Sequence, residues 1–327
     1  VVDGLVAQAG QEWGNGLEEG PARTANALLA GNHTIATDAC AAHLMGHDPQ
    51  SDWLTPPFLR DRNSLLVATE GGFGTVDLKN IDFINQIKSM NADLFIVVAF
   101  RKIPKEVYSI PKLGTINLHA SLLPDYRGAA PINWALINNE KVTGVTTFFI
   151  NEKIDHGDII LKQEILINDN DDFKSLYNRL SVIGSEVLLK TIKIVASGKA
   201  KIQKQDESKD LNLAPKLNSR NTRINWNENT DKILGMIRGL SPRPGSWTTL
   251  KNGDKEIRVK ILKASLFSGS SFSESSIGKV LINNDQIHIY SKDGVINCIK
   301  IQLENKKEML AKDLLNGYKF HDNSIVY

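Results

Sequence analysis

INLHASLLPDYRGAAPINWALINNEKVTGVTTFFINEKIDHGDII, residues 116–160, carries the signals that decide both fold and chemistry. It enters on a short strand, Gly114–His119, passes a turn-rich segment, opens a helix at Pro131 and runs into the β-branched and aromatic strand Thr143–Ile150. Strand, helical crossover and strand make a parallel unit. Asn117 and His119 are two apart on the first strand, so their side chains leave one face. They stand at its carboxyl end, the edge where open parallel sheets bind ligands. Asp155 follows in the polar loop IDHGD, which can return a carboxylate over the same edge. Acyl-type transfer needs a donor for the oxyanion, an imidazole that can be charged and a carboxylate to orient it. The trio meets that demand, although the same residues alone also suit a buried polar network.

Outward from this stretch the doubly wound pattern continues. Upstream, FINQIKSMN (83–91) reads as a helix, and the uninterrupted apolar run Leu94–Phe100 as a parallel strand covered on both faces. Downstream, Asp158–Ile167 reads as a strand pair. Phe173, Leu176, Leu180, Ile183, Val187 and Leu188 then recur at helical steps within 171–200. The fold class expected is α/β, a doubly wound, mostly parallel sheet. A polar, Lys-rich linker follows at 199–212. Residues 213–327 alternate apolar and polar with turns at NGD (252–254), NND (283–285) and KDG (292–294), the pattern of a small antiparallel β-barrel.

Composition narrows the class. The 327 residues are 41% apolar and 23% charged, enough for two folded domains, and no run approaches the roughly 20 apolar residues of a membrane span. No basic start followed by an apolar stretch suggests export. Cys40 and Cys298 stand alone, and His33, His43 and His47 share no spacing with a carboxylate, so neither a disulfide framework nor a metal site is expected. A reducing cytoplasm fits. Residues 1–78 hold three Arg, no Lys and ten acids, a net −7; the remainder is +9. That surplus suits a phosphate-rich partner, or an ordinary Lys-rich surface. The first 78 residues also hold a single Ile, Ile35, and the vocabulary shifts sharply near Gly74–Ile81, suggesting two origins. The expected division is an atypical segment at 1–78, a catalytic domain at 79–206 and a barrel at 207–327.

The run SLLP, the phrase YRGAAPINWA, TGVTTFF and the ID-x-GDI turn, in this order, resemble the 10-formyltetrahydrofolate-dependent formyltransferase family, most closely its branch acting on methionyl-tRNA. APKL (214–217), INW (224–226) and IRGLSPRPGSWT (237–248) resemble the barrel that this branch carries after its catalytic domain. The resemblance covers about residues 79–327. It implies that Asn117 and His119 bond the formyl oxygen as it becomes an oxyanion and that Asp155 pairs with His119 and assists proton transfer. It implies a folate site lined by Ser121, Leu122, Leu123 and Pro124, with Val98, Phe100, Ile103 and Ile154 in loops around the pterin. It also implies 10-formyltetrahydrofolate as co-substrate, initiator methionyl-tRNA as acceptor, no metal, no membrane and a monomer. Alternatives of the same chemistry are a nucleotide-sugar formyltransferase or a formyltetrahydrofolate hydrolase. A further one is an impaired folate-binding module, because the family's first sheet strands are replaced. Residues 1–78, through VVDGLVAQ, LLAGNHTIATDACAAHLMGHDP and GGFGTVDL, resemble instead an uncharacterised family that accompanies iron–sulfur segments.

Overall fold

The computed structural model describes residues 87–98, 102–206, 210–267 and 276–327, with the backbone of four two-residue strands before residue 30. The expectations for His33, Cys40, His43, His47 and the Gly74–Ile81 join lie outside the described residues. The chain divides into two compact units. The first comprises Val1–His119, Thr147–Asp158 and Val195–Lys199; the second comprises Ala120–Thr146, Ile159–Ile194 and Ala200–Tyr327.

In the first unit, Val2–Asp3 pairs antiparallel with Leu28–Leu29, and Ala7–Gln8 with Ala22–Arg23. Strand β1 (Phe95–Val98), helix α1 (Lys105–Tyr108) and strand β2 (Thr115–His119) form the parallel unit, in register from Phe95 opposite Thr115 to Val98 opposite Leu118. The apolar run was expected to be covered on both faces. Instead β1 alternates, with Ile96 44% and Val98 38% exposed. Its single neighbour among the described strands is β2. Strand β3 (Val142–Phe149) passes from the second unit into the first, and just beyond its end Ile150 N–H donates to Thr115 O at 2.8 Å. Its residues Thr143–Phe148 are all buried, the environment that a β-branched and aromatic strand fits.

In the second unit, helix α2 (Pro131–Ile137) starts with proline at its first turn, where the missing N–H costs nothing. Strand β4 (Ile159–Leu166) is one strand where a pair was expected. The segment ILKQEIL contains no Gly, Pro, Asn or Asp to turn the chain. Helix α3 (Phe173–Ala196) buries Leu176, Leu180 and Val187. Its start is a reciprocal cap: Ser175 N–H donates to Asp172 Oδ1 at 2.8 Å and Asp172 N–H to Ser175 Oγ at 3.0 Å.

The barrel of the second unit uses β5 (Ser246–Asn252), β6 (Lys255–Leu266), β7 (Val280–Asn283), β8 (Gln286–Tyr290), β9 (Val295–Leu303) and β10 (Ile325–Val326). Their order is β7-β8-β9-β6-β5-β10. The ends meet through Val280 N–H to Ser324 O at 3.0 Å and Val326 N–H to Gly278 O at 2.7 Å, so the sheet closes on itself and leaves no long free edge. All three expected turns are hairpin connections. At the second, Asn284 and Asp285 both have positive φ, 44° and 62°, as a two-residue turn between twisted strands demands. Helix α4 (Thr230–Leu240) was not foreseen in a segment read wholly as barrel. Ile233 and Ile237 drive it into the barrel core beside Ile261, Ile287 and Ile296. On α4, Gly235 and Gly239 meet α2 and the turn after it: Asn133 Nδ2 donates to Gly239 O at 2.7 Å, and Asn139 Nδ2 to Asp231 O at 2.9 Å.

Candidate active site

The three residues singled out from sequence lie together in the first unit. His119, the last residue of β2, is 7% exposed, and its Nδ1 stands 3.7 Å from Asp155 Oδ2, whose side chain is 10% exposed. Asn117 emerges two residues earlier with its Oδ1 buried and without a hydrogen-bond partner. Buried amide oxygens are normally satisfied, so this orphan on the strand that carries His119 makes Asn117 a candidate for contact with a ligand.

Backbone geometry accounts for the carboxylate's position. Asp155 occupies left-handed φ at +58°, a conformation that Asp tolerates better than most residues. The loop before it is knit locally: Lys153 N–H donates to Asn151 Oδ1 at 2.9 Å and His156 Nδ1 to Ile154 O at 2.6 Å. It then closes onto β3 through Phe149 N–H to Asp158 O at 3.0 Å. Gly157 permits this closure, because a Cβ there would lie 1.6 Å from Phe149 O. The motif ID-x-GDI therefore encodes a close backbone approach as well as a carboxylate. Of the expected pterin-loop residues, Val98 and Ile103 are partly exposed, Ile154 is 59% exposed and Phe100 lies outside the described residues.

In the second unit, Ser121–Pro124 forms a tight corner with a cis Leu123–Pro124 peptide. Ser121 and Leu123 are fully buried; Leu122 and Pro124 are partly open. Thr146 Oγ1 bridges the corner, donating to Ser121 O at 2.6 Å and accepting from Leu123 N–H at 3.1 Å. Ser121 Oγ donates to Asp125 O at 2.6 Å, and Lys162 Nζ donates to Leu123 O. Burial around Lys162 lowers its pKa, with Asp125 and Glu164 acting in the opposite direction. Nothing in the sequence marked Thr146 or Lys162, since their partners are 25 and 39 residues away.

The next residues are strapped by the segment read as a linker. Arg127, 7% exposed, donates from Nε and Nη2 to Gln205 Oε1 at 3.0 and 2.6 Å. Tyr126 N–H donates to Asn212 O at 2.6 Å, and Ala129 and Ala130 N–H both donate to Ala214 O. A Cβ at Gly128 would meet Ala214 O at 2.4 Å, so the small residues serve this backbone contact. Tyr126, buried and donating to Glu140 Oε1 at 2.5 Å, has its phenol pKa raised first by burial and then by that carboxylate.

A parallel sheet with an Asn–His strand end faced by a carboxylate, followed in the chain by a closed antiparallel barrel, groups this protein with the formyl transferases. The formyl transferase family matches residues 55–192, beginning ahead of the domain boundary expected at 79, and the formyl transferase C-terminal domain matches 216–319. The methionyl-tRNA formyltransferase of Flavobacterium johnsoniae is 45% identical over 251 residues, 77% of this chain and 79% of that one. Its counterpart from Thermodesulfovibrio yellowstonii is 42% identical over 246 residues, covering 75% and 77%. The chain belongs to the methionyl-tRNA formyltransferase family. Among solved structures, HypX from Aquifex aeolicus in complex with tetrahydrofolic acid superposes with a TM-score of 0.54 at 22% identity, over 72% of this chain and 40% of that chain, and shares the fold. Among the described residues, no helix is long and apolar enough to cross a membrane, and no His, Cys, Asp or Glu cluster is arranged to hold a metal.

Proposed function

We propose that this chain transfers the formyl group of 10-formyltetrahydrofolate to the amino group of methionine carried by initiator tRNA. The single observation that carries the reading is the buried His119–Asp155 pair beside the orphaned Asn117 Oδ1. When bound, the folate supplies the formyl carbon that the amine attacks. Asn117 serves with both ends of its carboxamide: the NH2 donates to the oxygen on which negative charge develops, and Oδ1 accepts from the incoming amine. His119 donates the second hydrogen bond to that oxygen. Asp155 holds the imidazole in orientation. Across the reaction the amine loses one proton and the folate nitrogen gains one, and Asp155 assists this exchange through water.

Family membership supports a folate co-substrate, and in the first unit the partly open Val98 and Ile103 are apolar side chains of the kind a pterin ring packs on. Leu123 and Ser121 then act by shaping their corner. In this reading residues 79–206 carry the chemistry, and the barrel at 207–327 holds the tRNA. The enzyme works as a cytoplasmic monomer without a metal.

The test is purified protein with 10-formyltetrahydrofolate and methionyl-initiator tRNA. Formyl-methionine should form, and its formation should be lost in His119→Ala. Folate binding without turnover overturns the proposal in favour of a binding module. Turnover of a nucleotide sugar instead of methionyl-tRNA overturns the choice of acceptor.

A further inference from the structure

Helix α4 packs Ile233 and Ile237 into the barrel core, and its other side is fastened to the crossover helix α2 by more than apolar contact. A Cβ at Gly235 would lie 2.6 Å from Asn139 Oδ1, and one at Gly239 would lie 2.8 Å from Asn133 O. Glycine inside a helix is disfavoured relative to alanine, so here the close approach outweighs propensity at two positions one turn apart.

The bonds across this approach are directional. Asn133 Nδ2 donates to Gly239 O at 2.7 Å and Asn139 Nδ2 to Asp231 O at 2.9 Å, one bond near either end of α4. Arg238 adds a fork: Nη2 donates to Asn139 Oδ1 at 3.0 Å, while Nη1 donates to Asp169 O at 3.2 Å and Asp171 O at 3.3 Å. Asn139, at left-handed φ of +55°, is therefore held by both ends of its carboxamide. The Asp169–Asp171 turn is itself fixed, because the Asp171 carboxylate accepts from Arg179, from Ser175 Oγ at 2.8 Å and from Asn168 N–H at 2.8 Å. Apolar contact between helices is non-directional and tolerates sliding, whereas these bonds are satisfied in a single register. A planar guanidinium reaches both segments at once; a lysine ammonium is a point charge without that fork. Chain order gives the brace its consequence. Helix α2 joins β2, which ends on His119, to β3, which leads into the loop of Asp155.

We infer that Arg238 is a positioning residue for the transfer: through Asn139 and the Asp169–Asp171 turn it fixes barrel helix α4 in one register on α2, so that an acceptor held by the barrel is presented in one orientation. This rests on the tRNA-acceptor reading above, and the experiment separates the two. Arg238→Gln removes the fork, Arg238→Lys keeps the charge without it, and Asn139→Ala breaks the same link from the α2 side. In all three, kcat for methionyl-tRNA should fall about 10–10²-fold, while Kd for initiator tRNA and for 10-formyltetrahydrofolate is retained. Lys232→Gln, which removes a charge from the exposed side of the same helix, should leave kcat unchanged. Amide hydrogen exchange over residues 131–139 should rise in the three variants and not in Lys232→Gln, with no acceptor present. Wild-type kcat in folded Arg238→Gln and Asn139→Ala overturns the inference, as do full activity in Arg238→Lys, a loss confined to tRNA affinity or an unchanged exchange pattern. If exchange rises but wild-type protein formylates no methionyl-tRNA, the brace stands and the functional reading fails.

Discussion

Replacing Gly157 with Ala separates the geometry of the site from its chemistry, because the change touches none of the three polar groups. The new Cβ would stand 1.6 Å from Phe149 O, 2.8 Å from Phe149 C and 2.9 Å from Phe148 Cδ2. Two of these atoms are backbone at the end of β3, where the chain is tied to Thr115 O through Ile150 N–H, so the loop must yield rather than the strand. Restoring van der Waals contact requires a retreat of roughly 1.5 Å. Asp155 sits two residues upstream with its carboxylate 3.7 Å from His119 Nδ1, already longer than a hydrogen bond, and a shift of that size takes it beyond ion-pair distance as well. Misplacement by about 1 Å in a reacting geometry costs on the order of 10²-fold. The expected result is a fall of about 10²-fold in kcat/KM for formylation of methionyl-tRNA, with tRNA affinity and far-ultraviolet circular dichroism retained. Asp155→Asn keeps the preference for φ +58° while removing the charge, so it should show a comparable loss. The double variant should lose little more than either alone, since both changes break one unit. Wild-type turnover by folded Gly157→Ala protein would refute the claim that this close approach positions Asp155.

Three further outcomes follow from the same geometry. In steady-state formylation, His119→Ala should lower kcat by about 10²–10⁴-fold and Asn117→Ala by about 10²–10³-fold. Burial lowers the pKa of His288, a buried residue stacked on Phe267 with ring centroids 4.1 Å apart. The unfolded chain therefore takes up a proton at His288 more readily than the folded one. Stability from this group is fully present above the unfolded value near ~6.5 and declines as pH falls through it. The fall in Tm on acidification should be shallower in His288→Phe. Gly239→Ala would set a Cβ 2.8 Å from both Asn133 O and Ile137 Cγ1; overpacking there should cost about 1–3 kcal/mol, read from urea unfolding.

Several elements were legible from local pattern alone. The spacing of Asn117 and His119 put both on one strand end, and the stripe from Phe173 to Leu188 gave a helix over Phe173–Ala196. The turn phrases at 252–254, 283–285 and 292–294 each join adjacent barrel strands. Each of these depends on side-chain periodicity or turn chemistry within a few residues. Helix α4 was missed although Ile233, Ile237 and Leu240 recur at helical steps, because the alternation of the strands around it dominated the segment. Reading a strand pair at 158–167 ignored the lack of any turn residue inside it.

The role of 199–212 was hidden for a different reason. Its composition is that of a linker, yet Gln205 and Asn212 supply partners to Arg127 and Tyr126 some 80 residues earlier. Composition reports what a segment cannot bury, and says nothing about which distant backbone groups need it. Likewise the basic surplus after residue 78 was visible in the sequence, but Arg223, Arg243, Arg258 and Lys260 crowd together only because β5, β6 and the segments before them meet on one barrel face.

By itself the sequence determined the residue types, their order and their alternation, and from these the parallel unit, the barrel and the choice of Asn117, His119 and Asp155 as the candidate trio. Only the tertiary structure decided that His119 and Asp155 are both buried and 3.7 Å apart, that Asn117 keeps an acceptor without a partner, and that Gly157 is the point on which the loop closes. The physical reason is that burial, separation and hydrogen-bond satisfaction belong to whatever packs around a group, and those neighbours come from strands and loops far along the chain.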